Sequence, residues 1–176
     1  MNSKALIQLA TAQYQLYLQP DAAPWPDQWF SGGGAWMQQQ LCFMRGGYGR
    51  QSTVTPPFGL YGVMKYGLSV AVFILALVIF YRIHFLLSPL AIVLFYVAEV
   101  HFLFLFPLLI DQAKYPLLAS VRLTYKIGVI KAVTTVMPVA AFMLLGLFNR
   151  EERLKNWFIG CLAILIWYEK EMEHRV

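Results

Sequence analysis

Charge is the scarcest commodity in this 176-residue chain: Asp, Glu, Lys and Arg make up 13% of it, against 59% hydrophobic residues. An ordinary soluble domain carries about 25% charged residues. The chain has too little charge to cover a water-facing surface, and its length suits about one domain. Cysteine is almost missing. Cys42 and Cys161 lie far apart in different contexts, which leaves no disulfide framework and no zinc-ligand spacing. Only three histidines occur, and there is no HExxH, histidine box, Walker loop or GxGxxG after a strand. No serine or cysteine has a base at recognisable spacing, so no reaction suggests itself and the chain leans away from an enzyme. A cleaved signal peptide is also rejected, because the first apolar run is short and broken by Gln8.

What is present is apolar length. The pattern predicts an all-α integral membrane protein with about four transmembrane helices, at 66–83, 86–110, 129–149 and 155–169. Crossing a hydrocarbon core of about 30 Å takes about 20 apolar residues. The first stretch is bracketed by Lys65 and Arg82, whose long stems reach the interface. Pro138 interrupts the third. The fourth is short, with Trp157 and Trp167 only about 15 Å apart along a helix, too close to mark both faces of a bilayer.

The basic residues bear on the count. Four crossings put Arg50, Lys65, Lys114, Arg122, Lys126, Lys131, Lys170 and Arg175 on one side against Arg82, Arg150, Arg153 and Lys155 on the other. Three crossings even the sides out, so the positive-inside rule favours four, with both termini cytoplasmic.

Residues 1–64 read as an extramembrane segment ahead of a transmembrane domain at 65–176. An amphipathic helix is expected over about 3–19, after Asn2 or Ser3 as cap and before Pro20. Its polar face is neutral, built of Gln8, Thr11, Gln13 and Gln15, where a lipid-surface helix normally carries cations. Packing against protein is therefore expected. An irregular connector rich in Gly, Pro and aromatic residues follows, with a short helix at "AWMQQQLCFM". It lacks a core of its own, yet Trp25, Trp29, Phe30, Trp36, Phe43 and Tyr48 give it more aromatic surface than a disordered linker has. "RGGYGR" is a single Gly-rich turn, and no nucleic-acid partner is expected from it.

Two ionisable residues interrupt "YVAEVHFLFLF". Taking 83–110 as one helix puts Glu99 near mid-bilayer, where an ionisable group is a functional candidate by default. His101, two residues on, points about 200° away around a helix, so the two do not form one site. Glu99 is expected to join a polar seam with Thr134, Thr135 and Lys131 of the third span, or else to serve a small transporter or proton-coupled channel. His101 reads first as a helix-to-helix donor and His84 as interfacial; the alternative is that His101 is an axial ligand to haem or a chlorophyll-type pigment, with His84 a weaker candidate, although no cofactor is required by the sequence.

Ser120, Thr124, Gly128 and Ala132 recur every four residues, a small-residue stripe that lets helices approach. They fit either one long helix from about Leu117 to Phe148 or a surface connector ending at Lys131. Lys114, Arg122 and Lys126 are directed to anionic lipid head groups. The mixed charges of "NREERLK" and "YEKEMEHRV" read as solvated helix ends, with Glu171 and Arg175 a possible pair. These features together favour a non-catalytic, multi-pass accessory or scaffold subunit whose partners are other membrane proteins and anionic lipids. A pigment- or haem-binding subunit and a small transporter are the alternatives.

Overall fold

The computed structural model describes residues 2–16, 29–46, 56–146, 148 and 154–173, with the side chains of 29–31 excepted. The Trp-rich stretch before residue 29, the connector after Gly46, the loop containing Arg150 and Arg153, and the tail with His174 and Arg175 lie outside the described residues. Among the described residues all regular structure is helical. Phe58–Ile83, Phe85–Ile110 and Val129–Gly146 are long and apolar enough to cross a membrane, which makes this a helical membrane protein by length and composition.

Helix α1 (Ser3–Leu16) begins where Asn2 accepts from the Lys4 N–H through its side chain, 3.3 Å, and from the Leu6 N–H through its carbonyl, 3.1 Å. Leu6, Ala10 and Tyr14, one face at four-residue spacing, are buried, and α1 packs mainly on α8 (Lys155–Glu173) and also on α7 (Val129–Gly146). Helix α2 (Trp29–Met44) starts earlier than the expected short helix and includes Gly32, Gly33 and Gly34. Gly34 is required by a close approach: any Cβ there would run into the ring of Phe58. Buried residues from α1 and α2 belong to the same cluster as those of the later helices, so the N-terminal segment shares the core rather than forming one.

Helix α3 (Phe58–Ile83) starts directly after Pro56 and Pro57. Its buried residues form one narrow stripe, Phe58, Gly62, Lys65, Ser69 and Ala76, and the remaining circumference is exposed and apolar. Gly62, Ser69 and Ala76 recur every seven residues, a seam of small side chains that brings α3 close to antiparallel α4 (Leu90–His101). His84 makes the hairpin between them. Its N–H donates to Phe80 O at 2.9 Å, and its Nδ1 accepts from the Leu86 N–H at 3.2 Å, capping a single 3₁₀ turn before Ser88 and Pro89.

The second apolar stretch is not one straight helix. It turns at 102–104 and resumes as α5 (Leu105–Ile110). Pro107 supplies the cause: it has no N–H, and its ring clashes with a carbonyl four residues back. The turn lies in the interior, with Phe102, Leu103, Phe104 and Leu105 all buried. Phe104 sits edge-on to Trp167, centroids 5.3 Å apart, and 6.1 Å from the ring of Tyr168.

Helix α6 (Pro116–Ile127) and α7 are separate helices, not one, because Gly128 adopts φ 98° between them. Helix α8 contributes more buried residues than any other helix described. Nine of its residues between Phe158 and Tyr168 are buried, although it is not among the three helices apolar enough to qualify as a span. It runs antiparallel to α7, with Gly146 against Asn156 at one end and Lys131 against Glu171 at the other.

Candidate functional site

The polar side chains of this apolar chain gather toward one end of the bundle in three groups. In the first, Lys65 of α3 reaches Glu99 of α4, Nζ to Oε2 3.0 Å, with both side chains largely shielded. The ammonium also lies 5.0 Å from the Tyr66 ring centroid and 6.0 Å from that of Phe106. The other carboxylate oxygen, Oε1, is buried without a hydrogen bond among the described residues. Ser69 adds nothing to the pair, because its hydroxyl donates to the carbonyl of Lys65, 3.0 Å away.

This differs from the expected seam. Lys131 lies beside Glu171 at 3.5 Å, and Thr134 donates to the carbonyls of Ile130 and Lys131 in its own helix, at 2.9 and 3.2 Å. Thr135 is buried in α7, and α4 meets α7 instead through Tyr96 Oη and Val133 O, 3.4 Å apart. The turn at 102–104 explains the change of partner. Glu99 stands two residues from the end of α4 rather than halfway along a straight helix. Its partner Lys65 lies 18 residues, about 27 Å, from Ile83 along α3, so the pair sits toward one edge of the apolar layer.

The second group is a clamp. Arg45, just past α2, makes a bidentate pair with Asp111, Nη1 to Oδ1 2.6 Å and Nη2 to Oδ2 3.0 Å, and also reaches Glu169 of α8, Nη2 to Oε1 2.6 Å. Tyr168 Oη donates to Asp111 Oδ2 at 2.6 Å. Hydrogen bonding to Asp111, and then to Glu169, holds the Arg45 guanidinium above its ordinary value against partial desolvation. One planar fork thus ties the ends of three helices together. Sequence reasoning missed all of its members: Arg45 looked like part of a Gly-rich turn, Asp111 like a span exit, and Glu169 like a solvated tail. Glu171, also assigned to solvent, accepts from Trp167 Nε1 at 3.0 Å besides meeting Lys131. The usable signal was the shortage of charge itself, since each acid near these spans needs a cation.

The third group is the small-residue stripe. Ser120 Oγ donates to His101 O at 3.0 Å and Thr124 Oγ1 to Val100 O at 3.3 Å, and both side chains are fully buried. These carbonyls stand at the broken end of α4, where the helix no longer supplies every donor. Ala132 is buried further along, and Gly128 is the hinge.

His101 places Nδ1 2.6 Å from Val97 O, and its ring lies 5.4 Å from that of Tyr125. A bond of this kind leaves Nε2 available to a metal. Tyr125 stands tilted beside the ring with its own side chain exposed, and His101 lines neither of the two clefts that flank α6. His84 is committed to its hairpin. No group of three His, Cys, Asp or Glu is placed to hold a metal among the described residues.

Two clefts flank α6. One, about 660 Å³, is apolar and lies between α3 and α6, walled by Met64, Gly67, Leu68, Phe102, Leu118 and Val121. The other, about 320 Å³, is lined by Lys114, Leu118, Arg122, Leu123, Lys126 and Met172, so it gathers all three cations expected at lipid head groups. Leu118 belongs to both. No family model matches the chain, and no characterised protein or solved structure matches it either.

Proposed function

We propose that this protein is a non-catalytic, multi-pass accessory or scaffold subunit of a larger membrane complex, with four crossings and both termini in the cytoplasm. The observation that carries the reading is the outward face of α1. Helix α1 lies along α8, which lies along the apolar α7, and it turns Lys4, Gln8 and Gln15 away from the protein beside the exposed Leu9 and Leu16, a mixed face of the kind that a protein partner covers. Hydrocarbon has no partner for a glutamine amide. Beside an apolar span, such a face calls for the polar surface of another protein. The use of the remaining polar groups supports the same reading, since Lys65, Glu99, Arg45, Asp111, Ser120 and Thr124 all tie one helix of this chain to another.

A photoreactive amino acid at Gln8 and at Gln15, irradiated in native membranes, tests it. One protein adduct of the same mass at both positions is expected; adducts to lipid alone at both would overturn the reading.

A second reading, proton or ion passage through Glu99, is favoured by the buried, unbonded Oε1. Flux through reconstituted vesicles that persists in Glu99→Gln while the yield of folded protein falls would remove it.

A further inference from the structure

We infer that the paired clefts along α6 form a discrete binding site for one anionic phospholipid, with its phosphate held by Lys114, Arg122 and Lys126 and an acyl chain lying in the apolar groove against α3. The basic cleft is assembled from one side of α6. Arg122 and Lys126 follow Leu118 at four-residue spacing, which aligns all three on one helix face, and Lys114 enters from the segment just before the helix. Arg122 and Lys126 are exposed, and no carboxylate pairs with either among the described residues. In the chain's other described charge clusters each cation meets a carboxylate, as Lys65 meets Glu99 and Arg45 meets Asp111 and Glu169. Here, three cations converge on one hollow without their counter-charge.

The chemistry of the occupant follows from the two clefts being neighbours that share Leu118 as a wall. A free inorganic anion would use the basic cleft and leave the apolar one untouched, whereas a fatty chain without a head group would do the reverse. Leu118 lines both, so an amphiphile with its phosphate on one side of that residue and its hydrocarbon on the other meets complementary surface throughout. Both volumes fall within the range of about 300–1,000 Å³ typical of ligand pockets. The groove is open at Gly67, where a Cβ would meet nothing within 4 Å. Tyr115, just before α6, and Tyr125 on it are both exposed and suit the head-group layer, where amphipathic rings concentrate. The inference does not depend on the complex-subunit reading, because it is tested on the isolated protein.

The experiment is native mass spectrometry of the purified full-length protein in mild detergent, titrated with phosphatidylglycerol or phosphatidylcholine. One phosphatidylglycerol is expected to be retained in preference to phosphatidylcholine. Arg122→Gln/Lys126→Gln should weaken that retention by about tenfold. Gly67→Leu, which fills the groove from a position with open space, should weaken it for a full-length lipid but not for a short-chain analogue. Arg82→Gln, at the far hairpin, should change nothing. Equal retention of the two lipids, undiminished retention in the double variant, or complete displacement by millimolar inorganic phosphate would each overturn the site.

Discussion

Lys65 and Glu99 form the one ion pair that joins the α3–α4 hairpin across its interior, and its worth is decided by desolvation. Two charges removed from water recover their cost only through each other, so removing one partner leaves an uncompensated charge and typically costs about 3–5 kcal/mol. The side chains keep 11% and 18% exposure, which places the effect toward the lower figure. Lys65→Met and Glu99→Leu should each destabilise the detergent-solubilised protein by about 3 kcal/mol, and the double variant should regain most of that loss. Chemical unfolding of all four proteins closes the cycle; strictly additive losses would show that the pair is not coupled. Glu99 was conspicuous in the sequence as a carboxylate in an apolar run, but its partner was not. Lys65 follows Gly59 and Gly62 and looks like a flanking cation on a glycine-rich approach to the span. Only the start of α3 at Phe58 puts it a third of the way into a helix, facing α4.

At the scale of elements, the turn at 102–104 organises the centre of the molecule. Breaking a helix inside an apolar interior exposes carbonyls that no water can satisfy. Ser120 supplies a donor to the His101 carbonyl, and Thr124 adds one to the Val100 carbonyl, which also accepts from the Leu103 N–H at 3.2 Å. The four-residue recurrence of the stripe was legible from sequence, and small size appeared to be its purpose. Its hydroxyls matter as much, and that depends on a break whose only local sign is Pro107 in "FLFLFPLLI". Replacing Thr124 by Val keeps the shape and removes the donor, and Ser120→Ala does nearly the same. Each should cost about 0.6 kcal/mol and no more than about 1.7 kcal/mol, the average and the maximum measured for hydrogen bonds between membrane helices. The loss is expected together with faster hydrogen exchange at the α4–α5 turn. Stability and exchange equal to the unmodified protein in both variants would mean that the carbonyls find other partners. The hinge at Gly128 was out of reach of pattern reasoning for a different reason: apolar periodicity runs through it, and a positive φ leaves no trace in periodicity.

For the whole molecule, the open matter is whether α8 crosses with α7. By composition α8 falls short, since Lys155, Glu169, Lys170, Glu171 and Glu173 crowd its ends. Its position argues otherwise. From Lys131 to Gly146 and from Asn156 to Glu171 are equal lengths, about 22 Å each, and contacts close the hairpin at both ends. A helix wrapped by α1, α2 and α7 need not be apolar enough to face lipid, so its composition is compatible with the proposed fourth crossing. On the proposed four crossings the chain would return to the side on which it began, and the basic residues of α6 would face the cytoplasmic leaflet and its anionic lipids. Single cysteines placed at Lys4, Lys114, Glu173 or Arg82, in a background with Cys42 and Cys161 replaced by alanine, report each segment's side through a membrane-impermeant maleimide. Intact cells should label only the Arg82 position, and permeabilised cells all four. Labelling at Glu173 together with Arg82 would mean three crossings, with α7 and α8 parted across the membrane, which the Lys131–Glu171 contact opposes. Labelling of Lys4, Lys114 and Glu173 with Arg82 protected would keep the four crossings and invert them, turning the α6 cleft toward the outer leaflet.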